Sequence, residues 1–317
     1  MSLQTCVQAR SERFVPRRIS VHNNVPTPGK KLRARVRHAA LTHAPVWLSG
    51  GRLARVNPQK LHITHRTIAL PRLPHGLDGM TIAHLSDLHI GKLTTVEHLP
   101  LIVEATNALN ADLIAVTGDV VDLSLSVMDE LQSALLKLRA PLGVHVVPGN
   151  HDYLDDGPRL FDSLSSAGLS VLINRSFTLE HRSSRVRIAG IDWASETAHL
   201  EAMVRSTLSG APIRASDIDG DEFRLLLAHH PHAFDAAAAM HVDLTLAGHT
   251  HGGQVVLKHP GKRSAVALGS LAFQYTRGIY HQGPSALHVT TGIGSWFPLR
   301  VRCPAEIALL TLRKANL

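Results

Sequence analysis

Five short stretches of the chain each close an apolar run with residues that can bind metals. They read Asp87-Leu-His89, Gly118-Asp119, Gly149-Asn150-His151-Asp152, Ala228-His229 and Gly248-His249-Thr-His251. Carboxylate oxygens bring negative charge, and imidazole nitrogens are borderline ligands. A mixed set of this kind suits first-row divalent cations. One Asp-x-His pair means little, because such pairs arise by chance and the chain holds 22 histidines. The weight lies in the repetition, which a polar rim without metal does not explain.

The segments that must position these groups have the composition of buried strands. Met80–Leu85, Asp112–Thr117, Gly143–Val147, Phe223–Ala228 and Val242–Ala247 are short and largely apolar. Between them, residues 96–110 place Val96, Leu99, Ile102, Val103, Ala105 and Leu109 near helical spacing. Further helices are expected over 127–138, 158–167 and 233–240. Strand–helix–strand alternation predicts an α/β fold with a largely parallel sheet. In such sheets ligands bind beyond the carboxyl ends of the strands, where all five polar clusters lie. Other strands are expected at 61–70, as a leading edge, and at 185–191, 254–257, 265–268, 285–290 and 306–312.

Bulk properties narrow the classes. The chain has 317 residues and 44% hydrophobic content, enough for a sizeable core. Aromatic residues make up only 4%, which disfavours a base-stacking surface. The formal net charge of +8 is misleading as a whole-chain value. Residues 1–60 hold twelve Lys or Arg against the single acid Glu12, which leaves the remainder at −3. A nucleic-acid partner is therefore not expected for the main domain. Cys6 and Cys303 form no disulfide framework. No 18-residue apolar run and no standard secretory signal are evident. The expected organisation is a basic N-terminal extension over 1–60 and one domain over 61–317. The extension reads as a solvated tail. The competing reading is a peripheral contact with an anionic membrane, because Val46-Trp47-Leu48 lies among basic groups.

Collected in order, the clusters resemble the calcineurin-like metallophosphoesterase superfamily from about residue 61 to 313. Leu85-Ser-Asp-Leu-His89, Gly248-His-Thr-His-Gly-Gly-Gln254 and Pro304-Ala-Glu-Ile307 look most like its bacterial YkuE/YaeI-type phosphodiesterase branch. The resemblance implies a four-layer α-β-β-α sandwich with a dinuclear metal site at the strand ends. One cation would sit on Asp87, His89 and His251, the other on Asn150, His229 and His249, with Asp119 bridging. Mn, Fe and Zn all accept such ligands. His151 is left as the general acid, and Asp152 is expected to fix its tautomer. The implied reaction is in-line attack of a metal-bridging hydroxide on a phosphodiester or pyrophosphate. The substrate would be lipid- or nucleotide-linked. A nuclease of the same superfamily and a non-catalytic metal-binding scaffold are the alternatives. A scaffold would be expected to lose ligands, whereas every expected position is filled. No protein partner is expected. The expected location is the cytoplasm, with the extension at the membrane periphery.

Other residues are assigned plainer roles. His84, His145, His230 and His232 are expected to pack or to support ligands. Asp122 is expected to cap or orient a loop, Asp192 to be structural, and Gly292-Ile-Gly294 to form a turn. The chain also departs from the family pattern. Relatives often carry Asn where His230 stands. Val-Val-Asp-Leu after Asp119 lacks the arginine of protein Ser/Thr phosphatases, which argues against a phosphoprotein substrate. Trp193-Ala-Ser-Glu196 has no match in the branch. Relatives often begin with a transmembrane or export segment.

Overall fold

Side-chain alternation within the strands decides what each sheet face covers. The structure, a computed structural model, describes residues 27–38, 40, 44–48, 61–209, 222–258, 265–267, 273–295 and 298–315. Two helices lie in the basic extension, α1 (Pro28–His38) and α2 (Ala44–Leu48). The first sheet contains β1 (His62–Leu70), β2 (Thr81–Leu85), β3 (Leu113–Thr117), β4 (Val144–Val147) and β5 (Ser170–Val171). On β2, Ile82 enters one hydrophobic cluster while Ala83 and Leu85 enter another, and β3 divides in the same way. Both faces are buried, which is why these strands read as unbroken apolar runs.

The second sheet contains β6 (Arg175–His181), β7 (Ser184–Gly190), β8 (Glu222–Leu227) and β9 (Leu244–Ala247). β10 (Val256–Lys258) and β11 (Ala265–Ala267) form a separate antiparallel pair. β12 (Gly278–Gln282) and β13 (Ser285–Val289) complete the second sheet, and β14 (Glu306–Lys314) returns to the first. The strand orders are β1-β14-β2-β3-β4-β5 and β12-β13-β9-β8-β7-β6. The run β2 to β5 is parallel, as is the run β7-β8-β9-β13. Antiparallel pairings join β14 to β2, β12 to β13 and β6 to β7.

One cluster fills the space between the sheets, with Ile82, Leu113 and Leu310 facing Ile188, Phe223, Leu225 and Leu244. α3 (Leu99–Asn107), α4 (Met128–Leu135) and α5 (Gly157–Ser166) cover the outer face of the first sheet. α6 (Thr197–Ser209) and α7 (Ala233–Ala239) cover that of the second. The expected four layers are present. His84 of β2 meets His288 of β13 across the central layer, Nδ1 to Nδ1 at 2.9 Å. Burial keeps both rings neutral and holds His288 down to about 4.

Among the described residues β1 is an edge strand, paired only with β14. Sequence patterning did not anticipate β5, β6, β12 or α6. β5 has two residues, and α6 shows only the sparse apolar spacing Leu200, Val204, Leu208. The plain-tail reading of residues 1–60 anticipated neither α1 nor α2. α1 meets the body, with Lys31 Nζ donating to the Asp155 carbonyl and Arg35 Nη2 3.5 Å from Asp155 Oδ1. The rest of that reading falls on residues outside the described ones. Among the described residues no helix is long and apolar enough to cross a membrane.

Candidate metal centre

The loops that leave β2, β3, β4, β8 and β9 carry the ligand-type residues, and they interlock through the backbone. Asp87 N donates to Gly118 O at 2.9 Å, and His89 N donates to Asp119 O at 2.9 Å. Gly248 N donates to His229 O at 3.1 Å, joining the loops after β8 and β9. Close approach requires glycine at position 248. A Cβ there would lie 2.0 Å from Ser86 Oγ and 2.3 Å from Asp87 Oδ2. Asp87, His89, Asp119, His249 and His251 all have positive φ, between 44° and 69°. Non-glycine residues in this region cost about 1–3 kcal/mol each and persist where their surroundings impose them, often at functional sites. Asp and His tolerate it better than most, but no spacing rule reveals it.

The seven side chains expected as ligands come together as two groups sharing one carboxylate. In the first, His89 Nε2 is 3.1 Å from His251 Nε2, and Asp87 Oδ1 is 3.4 Å from His251 Nε2. In the second, Asn150 Oδ1 lies 3.2 Å from His229 Nε2 and 2.9 Å from His249 Nδ1. Asp119 Oδ2 stands between them, 3.5 Å from His89 Nε2 and 3.2 Å from His229 Nε2. Asp87, His89, Asp119, His229 and His251 are buried. The donor set fits divalent cations. His229 Nδ1 donates to Thr117 O at 2.7 Å, which turns the Nε2 lone pair inward. His89 Nδ1 is buried without a hydrogen bond, and the Asp122 carboxylate is the nearby anion, with Oδ1 at 3.6 Å.

His151 also enters the cluster, within ligand distance of His89 and Asp119. Its Nδ1 donates to the Asp122 carbonyl at 2.8 Å and lies 3.5 Å from Asp122 Oδ1. The orienting role expected of Asp152 is therefore corrected, because Asp122 occupies that place. The Asp152 carboxylate accepts from the backbone N–H groups of Asp119, Val120, Val121 and Gly149 at 2.8–3.1 Å. The helical turn at His151–Tyr153 directs it back into the loops, where it ties the end of β3 to the end of β4. Asp192 accepts from the Tyr153 hydroxyl at 2.5 Å and stays out of the cluster. His145 is spent on Ser170 Oγ and Leu142 O. His230 stacks 4.5 Å from the His249 ring, with its Nδ1 2.9 Å from His232 Nδ1. Burial, then His232 and His229, lowers His230 to about 3, so it is neutral.

Charge is divided unevenly across the centre. Burial opposes ionisation of Asp119, yet His229 and His151 hold it well below the usual carboxylate range. Burial likewise disfavours the cationic forms of His229 and His151, but Asp119 and other nearby acceptors raise both to about 9. Burial and neighbouring cations keep His249 and His251 neutral. The metal-free protein thus carries a protonated His229 near neutral pH. Its Nε2 must lose that proton to bind a cation. Loading should release about one proton from this residue, and affinity should rise by about tenfold per pH unit below its pKa. Calorimetric titration with Mn²⁺ in buffers of different ionisation enthalpy would measure the release. Proton-neutral loading at pH 7 would contradict this assignment of His229.

The Calcineurin-like phosphoesterase family matches residues 80–253, the span that contains all seven of these side chains. The metallophosphoesterase YkuE of Bacillus subtilis (strain 168) is 33% identical over 268 residues, covering 82% of this chain and 88% of its own length. A metallophosphoesterase of Aquifex aeolicus is 29% identical, covering 80% and 92% respectively. A transmembrane protein with a metallophosphoesterase domain from Danio rerio is 31% identical over 78% of this chain, but the match spans only 56% of that relative. The chain belongs to the calcineurin-like phosphoesterase family and is a phosphoric ester hydrolase. Family membership implies divalent metal ions, and the His and Asp clusters described above could hold them.

Proposed function

We propose that the chain hydrolyses phosphodiester or pyrophosphate bonds by in-line displacement at phosphorus, with residues 61–317 as the catalytic domain. The observation that carries this reading is Asp119 Oδ2, placed 3.2 Å from His229 Nε2 and 3.5 Å from His89 Nε2. Two divalent cations, where bound, would supply a hydroxide nucleophile and Lewis acidity for the phosphoryl oxygens. Asp87, His89 and His251 would hold one, Asn150, His229 and His249 the other, and Asp119 both. His151 donates through Nδ1 to the Asp122 carbonyl, so Nε2 is the atom left to give a proton to the leaving oxygen as the P–O bond breaks. Mn²⁺, Fe²⁺ and Zn²⁺ all suit this donor set.

A lipid-linked substrate draws support from the extension. Leu32 and Val36 of α1 are 63% and 59% exposed, in a helix rich in Arg and free of acids. Trp47 and Leu48 of α2 are 79% and 75% exposed. Apolar groups among basic ones suit an anionic headgroup layer. One assay series tests both parts. Bis(p-nitrophenyl) phosphate should turn over with Mn²⁺, faster than p-nitrophenyl phosphate, and stop with EDTA. No turnover of either ester, or of a UDP-linked lipid, with any of the three metals would sink the hydrolytic reading. Phosphatidylglycerol vesicles should pellet the full chain better than phosphatidylcholine vesicles, and Leu32→Asp should weaken that. Equal failure with both would remove the membrane contact alone.

A further inference from the structure

Arg300 lies behind the first ligand group and belongs to none of the clusters above. Its Nε donates to Ser295 Oγ at 2.7 Å. Its Nη1 donates to the carbonyls of Thr291, Cys303 and Pro304 at 3.0–3.2 Å. Its Nη2 donates to the carbonyls of Gly292, at 3.3 Å, and Gly294, and lies 3.3 Å from His251 Nδ1. One guanidinium therefore fastens the segment after β13 to the segment before β14. With His251 ligating through Nε2 its Nδ1 carries the proton, so the guanidinium packs beside that ring without a hydrogen bond to it.

The segment it fastens is wrapped around Asp87. Ile293 N donates to Ser86 O at 3.0 Å, and Gly294 N donates to Asp87 O at 2.6 Å. Gly292 runs so close that a Cβ on it would stand 2.7 Å from Asp87 Cβ. On the other side, the Cys303 thiol donates to the His251 carbonyl at 3.1 Å. Asp87 and His251 lie on distant parts of the chain, and both have positive φ. His249 N donates to both Asp87 carboxylate oxygens at 3.1 Å and ties the two loops directly. The segment held by Arg300 flanks that link from outside, where Asp87 Oδ1 stands 3.4 Å from His251 Nε2.

We propose that Arg300 is a positioning residue for the first cation, holding Asp87 and His251 at ligand spacing before the cation arrives. This rests on the metal-centre reading given above. The choice of arginine follows from geometry, because a planar fork with five N–H donors can spread over the six oxygens by sharing a hydrogen between two carbonyls, and an ammonium with three donors cannot. Charge alone argues the other way, since a half-buried cation beside a cation site repels the ion. The two effects have opposite signs, which makes them separable.

The experiment is Mn²⁺ binding to the full chain by equilibrium dialysis, for wild type, Arg300→Gln, Arg300→Lys, His251→Ala and the His251→Ala/Arg300→Lys pair. If Arg300 positions the ligands, Arg300→Gln and Arg300→Lys should weaken one of two sites by about 10- to 100-fold, the usual cost of losing a residue that orients a ligand. In the His251→Ala background, Arg300→Lys should cost much less than it does alone. Tighter binding in Arg300→Gln, unchanged constants in both variants, or fully additive losses would overturn the proposal. Ser295→Ala removes only the Nε partner and serves if the arginine variants do not fold. It should weaken the same site to a smaller degree, and unchanged binding would again overturn the proposal. Wild type that binds no Mn²⁺ would instead remove the metal-centre reading itself.

Discussion

Asp119→Asn should leave the chain folded, reduce Mn²⁺ loading below two ions, and lower diester turnover by more than about 10³-fold. Two dications about 4 Å apart repel by roughly 16 kcal/mol, taking four times the unit-charge energy at an effective dielectric of 20. An anion between them is what makes the pair tolerable. Asp119 is the carboxylate placed to serve, with Oδ2 facing both His89 and His229. It is held ionised by the neighbouring His229 and His151 even though burial opposes this. Asparagine keeps the shape, and its amide oxygen can still accept from His151 N, as Asp119 Oδ1 does at 2.7 Å. Only the charge and one lone-pair oxygen are lost. A loss of about 4 kcal/mol of transition-state stabilisation already gives a 10³-fold fall. Dialysis against Mn²⁺ and a diester assay on the same sample would check both quantities. Two bound ions with full turnover would show that Asp119 does not bridge.

The convergence of the seven ligand-type residues could be anticipated because each follows an apolar run that suits a buried strand. β2, β3, β4, β8 and β9 supply the runs, and a largely parallel arrangement puts their ends on one side. The supporting residues were harder to read, because side-chain direction in a turn is invisible to spacing. Asp152 is the next residue after His151 in its motif, whereas Asp122 lies 29 positions away in the loop after β3. Only the His151–Tyr153 turn decides that Asp152 faces backbone N–H groups while Asp122 faces the imidazole. Arg300 lies 49 positions from His251 in an irregular segment, so no periodicity links the two. In α1, Lys31 and Arg35 are one helical turn apart and meet the same Asp155, a pattern hidden in the overall basicity of the extension. The second sheet was read less completely because β6 and β12 are half-exposed edge strands with mixed composition.

His151→Ala should lower kcat by about 10²- to 10⁴-fold while two Mn²⁺ ions remain bound. The deficit should be larger for an alkyl leaving group than for p-nitrophenolate, which needs little protonation as it departs. The two nearby carboxylates can then be told apart by which quantity each one moves. Asp122 raises the His151 pKa through its contact with Nδ1, so that with Asp119 it outweighs the opposing effect of burial. The cationic acid is present below its pKa and lost above it. Asp122→Asn removes part of the raising influence, so the alkaline limb of kcat should move to lower pH, with a turnover loss of about tenfold. Asp152 acts on the fold instead. Its two oxygens accept four backbone N–H groups, and an amide in its place would set an NH₂ against some of those donors. Each buried N–H left unsatisfied costs about 1–3 kcal/mol. Asp152→Asn should therefore lower Tm by several degrees without shifting the pH limb in the fraction that remains folded. Movement of the alkaline limb to lower pH in Asp152→Asn, with unchanged Tm, would return the orienting role to Asp152. The opposite pattern would leave Asp122 as the carboxylate that keeps His151 charged beside the cations.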